Sequence, residues 1–236
     1  AKQGCRVAVA ARTEADLQKA VSEIEQAGGE GMYVVADLRE KEQLQRLADE
    51  VVDRWGGIGV WVNNAGLNVD YDTLAADEQW VETIFDLNLR AVYWGMRYAA
   101  RAMMDNEGEF RGAIVNVSSL ASEMPTFPRF SLYKSTKKAV DTLSDGVALE
   151  LRPFGIAVLD VLPGFTATGF SANQLGEPQN ESRPGSPDWM RIDPAIVARK
   201  IVAAVEKGRS NPRIFITWYD RLAAALAPLF TPLVDW

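Results

Sequence analysis

Four side chains in this sequence can carry acid–base chemistry together: Ser119, Tyr133, Lys137 and Asn88. Tyr133 and Lys137 stand four residues apart, so a helix projects both from one face. That spacing brings an ammonium beside a phenol. A neighbouring positive charge favours the ionised form of an acid, which lowers a phenol pKa from its free value of about 10. A tyrosine tuned in this way exchanges protons with an alcohol or ketone near neutral pH. The chain has no histidine, the usual residue for that task. Asn88 is polar within an otherwise apolar helical stretch containing Ile84, Phe85, Leu87, Leu89 and Val92. A buried amide needs partners, or it costs about 1–3 kcal/mol.

The elements that must position these groups are legible in outline. The chain has 236 residues, 47% of them hydrophobic, which suffices for one core and a single α/β domain over 1–236. Cys5 to Ala11 reads as a buried strand, and Thr13 is placed to cap a helix ending near Gln26. Further strands are expected at Met32–Ala36, Ile58–Val62, Gly112–Val117, Ile156–Leu162 and Arg213–Thr217. Helices are expected at Glu40–Trp55, Asp77–Met104 and Ser131–Arg152, with another from an Asp193 cap to Lys207. Strand alternates with helix, and the strands are continuous apolar runs. That pattern belongs to a parallel sheet covered on both faces. The loose stretch Ser171–Pro187, rich in Gly, Pro, Asn and Ser, reads as a binding loop.

Composition excludes several roles. Net charge is −7 with no basic block, so no nucleic-acid partner is expected. One cysteine, Cys5, forbids an internal disulfide and fits a reducing, cytoplasmic setting, where it reads as a small buried strand residue. No secretory signal opens the chain. The most apolar run, Leu222–Val234, is shorter than the ~20 residues of a membrane span and carries Pro228 and Pro232.

The ordered strings Asn63-Asn64-Ala65-Gly66, Asn116-Val117-Ser118-Ser119, Tyr133-Lys134-Ser135-Thr136-Lys137 and Pro163-Gly164 each fall at a strand or helix end. With them the whole chain resembles the short-chain dehydrogenase/reductase family. The resemblance implies a Rossmann-like doubly wound parallel sheet with its site at the carboxyl ends of the strands. It implies that Ser119 polarises a substrate carbonyl, with Ser118 the alternative. It makes Tyr133 the proton donor and Lys137 the residue that tunes it and binds the nicotinamide ribose. Asn88 matches the asparagine that holds a water in a relay to Lys137. Asp37 and Leu38 match positions at the adenine. Asn64, Ala65 and Gly66 would follow the ribose and phosphates, and Pro163, Gly164, Thr166 and Thr168 the nicotinamide and pyrophosphate. Family members that prefer NAD carry an acid at the end of the second family strand; here Ala11 stands there and Arg12 follows. A guanidinium suits a 2′-phosphate, so NADP(H) is the expected cofactor.

The family's opening strand and glycine-rich turn are missing from these 236 residues. Gly28-Gly29-Glu30-Gly31 lies between a helix and a strand and is a helix stop. The missing strand would sit between those at Cys5 and Ile58, leaving a central slot. Omission of an N-terminal part from the sequence is the favoured explanation, and weak dinucleotide binding by the chain as given is expected. The implied activity is interconversion of a ketone or aldehyde with an alcohol. The alternatives are a cofactor-poor scaffold that keeps the fold, and an epimerase or dehydratase using the same tyrosine. Phe165, Phe170, Trp189 and Met190 border a variable substrate loop over 169–192 and point to a small, uncharged, apolar or aromatic carbonyl compound or alcohol. The apolar tail 218–236 could cover the substrate mouth, meet a partner subunit or, least favoured, touch a membrane. The helices holding Asn88 and Tyr133 resemble the family's dimer surface, so a homodimer or homotetramer is expected.

Overall fold

A computed structural model describes residues 1–126, 128–170, 174–176, 191–208 and 211–230. Strand β1 (Val7–Ala11) pairs in parallel with β2 (Gly31–Val35), Val7 opposite Gly31 and Ala11 opposite Val35. Cys5, expected as a buried strand residue, is instead exposed, ahead of β1. A second sheet holds β3 (Val60–Asn63), β5 (Gly112–Val117), β6 (Ile156–Leu162) and β8 (Asn211–Phe215) in that order, all parallel. The two-residue strands β4 (Val69–Asp70) and β7 (Leu175–Gly176) form a separate parallel pair. Between them run α1 (Glu14–Gln26), α2 (Lys41–Trp55), α3 (Glu78–Phe85), α4 (Ala91–Met104), α5 (Ser131–Leu151), α6 (Pro194–Val205) and α7 (Trp218–Phe230).

The helix boundaries follow local chemistry. Asp77 and Asp193 accept backbone N–H bonds from Gln79 and Ala195, both at 2.8 Å, and so start α3 and α6. Thr13 occupies the cap position of α1, but its hydroxyl makes no cap bond. Gly56 stops α2 at φ +84°, where a β-carbon would be strained. The apolar tail is helical as far as Phe230; Pro228 falls in its last turn, and residues 231–236 lie outside the described residues.

Burial on both faces explains the continuous apolar strands. Trp61, Ile114, Ile156 and Val158 pack beneath α2, α4 and α5, together with Ala8, Ala10 and Val34 of the smaller sheet. Their neighbours Val115, Leu159 and Val161 point the other way, towards Val197 of α6. Each large aliphatic side chain so buried contributes about 1.5–3 kcal/mol. One helical layer thus covers both sheets, yet no backbone ladder joins β1 to β3. That break lies where the sequence predicted the slot. On the face opposite Trp61, Val60 and Val62 remain 44% and 46% exposed.

Helix α4 approaches β3 closely because residue 95 is glycine. A β-carbon there would lie 2.3 Å from Asn63 Oδ1 and 2.9 Å from Trp61 Nε1. Those atoms belong to a polar ladder. Trp61 Nε1 donates to Asn63 Oδ1, Asn63 Nδ2 to Asn116 Oδ1, and Asn116 Nδ2 to Ser144 Oγ, at 2.8, 2.8 and 2.9 Å. The first asparagine of the Asn-Asn-Ala-Gly string is therefore part of the scaffold, binding β3 to β5 and β5 to α5.

Candidate active site

All the described parallel strands of the larger sheet end on one edge, and the candidate residues follow their carboxyl ends. Ser118 and Ser119 follow β5, Asn64 to Gly66 follow β3, and Pro163 and Gly164 follow β6. Arg12 and Asp37 hold the same position in the smaller sheet. Helix α5 then brings Tyr133 and Lys137 back over the end of β5, both buried, at 7% and 4% exposure.

The Ser119 side chain stands near enough to the Tyr133 phenol to favour its ionised form. Ser119 Oγ also accepts from Ala121 N at 3.2 Å, which fixes the turn after β5. Ser118 turns inward instead. Its hydroxyl donates to Asp141 Oδ1 and lies 3.2 Å from the Lys137 carbonyl. Between the two serines the geometry therefore selects Ser119 as the one beside the phenol.

Lys137 does not act on the phenol as its spacing predicted. Its Nζ donates to the Val117 carbonyl at 2.9 Å and lies 5.8 Å from the centre of the Tyr133 ring. Burial pushes Tyr133 up to about 12, with the Ser119 side chain pulling the other way. Burial likewise pushes Lys137 down to about 8, against the opposing pull of Asp160 and Asp141. The expected lowering of the phenol is not found: removal from water dominates at each group, raising the phenol and lowering the amine. The ring itself packs between Phe130 and Phe170, at 5.1 and 5.8 Å between centroids.

Asn88 sits in a π-turn, Asp86–Arg90, that joins α3 to α4. Such wide turns recur at functional sites because they re-aim one side chain. Here the buried amide clamps the backbone of Leu67, accepting from its N–H at 2.9 Å and donating to its carbonyl at 2.8 Å. It also donates to Thr136 Oγ1 at 3.2 Å. A β-carbon on Gly66 would lie 3.2 Å from Asn88 Oδ1 and 3.5 Å from Lys137 Nζ. Asn88, Gly66 and Lys137 therefore converge on one point at the sheet edge.

The residues expected at a nucleotide are spread along that edge. Arg12 and Asn64 are exposed, and Ala65 and Gly66 are half-buried. Asp37 is held by Arg39, whose backbone N–H, Nε and Nη2 reach its carboxylate at 3.0, 3.0 and 2.6 Å. Arg39 keeps that carboxyl below its ordinary range. The sequence reading did not single out Arg39. Leu38 packs against the main core. Pro163 accepts from Leu120 N at 2.9 Å, and Thr166 Oγ1 donates to the Gly164 carbonyl at 3.1 Å. Thr168 Oγ1 accepts from Phe170 N at 3.4 Å. Trp189 and Met190 lie outside the described residues. A second set was also missed: Asp141 and Asp160, buried behind Ser118, with the half-buried Arg213 on Asp160. Its signal was present, since Asp160 is a charge inside the apolar strand Ile-Ala-Val-Leu-Asp-Val-Leu.

Above Tyr133, Leu67, Val69, Tyr71 and Ile84 make a small apolar cluster with Phe130 and Leu175. Arg129 Nε donates to buried Asp70 at 2.6 Å, and Tyr71 shares a 2.8 Å hydrogen bond with Ser131. No helix among the described residues is long and apolar enough to cross a membrane.

The pattern of the short chain dehydrogenase family matches residues 1–178. A 3beta-hydroxysteroid dehydrogenase of Eggerthella lenta is 33% identical over 167 residues, 70% of this chain and 62% of that protein. A metagenomic short-chain oxidoreductase solved with NADP is 31% identical, with a TM-score of 0.64 over 69% of this chain and 72% of that one. A short chain dehydrogenase/reductase of Burkholderia phymatum solved with NAD is 22% identical, and it shares the fold at a TM-score of 0.81 over 97% of this chain and 85% of that one. The matches take in 59–65% of the length of the curated relatives.

Proposed function

The chain belongs to the short-chain dehydrogenase/reductase family, and from that premise we propose that it is an NADP(H)-dependent oxidoreductase interconverting a carbonyl compound and an alcohol. The observation that carries this reading is the grouping of Tyr133 with Lys137, whose Nζ is tied to Val117, and with Ser119 two residues further on, at the carboxyl edge of a parallel sheet. In it Ser119 holds the carbonyl oxygen. Tyr133, a protonated acid at neutral pH, gives its proton to the forming alkoxide. Lys137, tethered to Val117, keeps two further N–H donors and a positive charge next to that step. Asn88 fixes the Leu67 backbone and so the loop from Asn64 to Gly66. A bound nicotinamide supplies or accepts the hydride.

The residues present fit the two ends of such a cofactor. The space at Gly66, which a β-carbon would fill, admits close backbone approach near Lys137. Arg12 would meet a 2′-phosphate, with Asp37 and Leu38 at the adenine, and Pro163, Gly164, Thr166 and Thr168 beside the nicotinamide and pyrophosphate. The relatives named above were solved with NADP in one case and NAD in the other, so Arg12 carries the choice between them. Arg12→Ala should weaken NADPH by about 10-fold or more while leaving NADH nearly unchanged, the loss expected of one charge-assisted contact. Fluorescence titration of both nucleotides checks it; equal weakening of the two would remove Arg12 from the phosphate. A second reading is a fold kept without dinucleotide binding. Absence of saturable NADPH binding in the same titration selects that reading.

The apolar cluster above Tyr133 supports a small uncharged substrate; most of the 169–192 segment expected as the variable loop lies outside the described residues. Net reduction of such a ketone, with matching loss of nicotinamide absorbance, separates a dehydrogenase from an epimerase or dehydratase.

We also infer a homodimer through α4 and α5. Their outer faces make a groove of about 510 Å³ lined by Leu89, Tyr93, Trp94, Ala139 and Leu143. Light scattering should give twice the chain mass at micromolar concentration, and a monomer mass there would refute the interface.

A further inference from the structure

Behind Ser118, two aspartates occupy the main core at 0% exposure: Asp141 on α5 and Asp160 on β6. Neither is used by the reaction proposed above. Each has one carboxyl oxygen occupied. Asp141 Oδ1 accepts from Ser118, and Asp160 Oδ2 accepts from Arg213 Nη1 at 3.1 Å. The other two oxygens, Asp141 Oδ2 and Asp160 Oδ1, are buried with no hydrogen-bond partner among the described residues. The Ser122 hydroxyl, which donates to the Ser119 carbonyl at 2.8 Å, also favours the ionised form of Asp141, whereas Asp141 disfavours the ionised form of Asp160. Two buried acceptors that meet with no donor between them are mutually repulsive unless one carries a proton, which then supplies the missing hydrogen bond.

The surroundings are specific. On α5, Lys137 lies one turn before Asp141, Lys138 Nζ comes within 3.9 Å of Asp141 Oδ2, and Asp145 takes both Arg213 Nη atoms at 3.1 Å. From the turn after β5, Glu123 binds Lys138 at 2.9 Å and Arg213 at 3.3 Å, with Lys134 beyond it. Arg213 comes from β8 and Asp160 from β6. Arg213 is thus shared among three carboxylates and cannot neutralise the aspartate pair alone. Ser118, which Asp141 holds, is adjacent in the chain to Ser119 and to Val117, the anchor of Lys137.

We propose that Asp141 and Asp160 share a single proton and, through Ser118, act as positioning residues that hold the end of β5 and Lys137 in register for the Ser119–Tyr133 site. The positioning half rests on the reading under Proposed function; the shared proton does not. Burial raises both carboxyls, Asp160 to about 8, so the folded chain keeps a proton that the unfolded chain has released from about pH 4 upward. With a raised carboxyl pKa, the fold loses stability as pH rises across that interval.

Asp160→Asn tests this, because its amide N–H can stand where the shared proton would be and does not titrate. At pH 6, unfolding of the unaltered chain should release about one proton more than unfolding of the variant. The unfolding temperature of the unaltered chain should fall between pH 5 and 8 relative to Asp160→Asn. Asp160→Ala, which supplies no donor, should be less stable than Asp160→Asn, and Asp141→Asn gives the reciprocal check. Equal proton release in the unaltered chain and both Asn variants overturns the shared proton, as does Asp160→Asn unfolding no later than Asp160→Ala. In NADPH-dependent ketone reduction, Asp160→Ala should lower kcat more than Asp160→Asn with KM little changed. If the proton count differs as expected but no variant or parent turns over, the catalytic reading fails and the proton pair stands.

Discussion

Tyr133→Phe is expected to lower carbonyl reduction by about 10²–10⁴-fold, the usual contribution of a positioned general acid, while nucleotide affinity changes little. The expectation follows from where the hydroxyl stands. It is the group of the Tyr133 ring that faces Ser119, and the ring's packing against Phe130 and Phe170 and beneath the Lys137 ammonium survives the change. Folding should therefore be nearly unaffected; the variant exchanges one hydroxyl for a hydrogen beside a serine that still caps its own turn through Ala121. Steady-state rates with NADPH and a ketone, set beside fluorescence titration of NADPH, check both parts. Retention of more than a tenth of the parent rate would take the proton step away from this residue. The high value of the phenol, about 12, adds a direction. At neutral pH it is protonated and its phenolate is scarce, so alcohol oxidation, which needs the phenolate, should need distinctly more alkaline solution than reduction.

Lys137→Met is the second large effect. Methionine fills much of the same buried volume without the charge, and loss of one preorganised donor of this kind costs about 10²–10³-fold in turnover. The pH profile gives the finer check. Lys137 is depressed from 10.5 to about 8, so its charged form holds below about 8 and is lost above it. The rate of reduction should fall as pH passes upward through about 8, and that limb should vanish in the methionine variant. A limb of the same midpoint in Lys137→Met would assign it to another group. The sign for stability is opposite. Between about 8 and 10.5 the unfolded chain binds the proton that the folded chain has shed, so this lysine makes the fold more stable as pH rises there.

Much of the architecture can be read from the chain because its determinants are local. Strands β5 and β6 occur at the predicted residues, and Asp77 and Asp193 cap their helices as aspartates at such positions do. Three features depended on distant contacts. The pair β4–β7 is two residues long and has no period to detect. The π-turn at Asn88 is one extra residue within an unbroken helical pattern. Helix α7 forms although Pro228 argues against it, since a proline near a helix end removes few bonds. The candidate site divides in the same way. Spacing placed Tyr133 and Lys137 on one face, and the Ser119 position followed from its string. Their proton affinities did not, because how deep the two groups lie is a property of the whole core. Arg39 was hidden for a related reason: its salt bridge to Asp37 is an i, i+2 contact made by a turn that no sequence period announces.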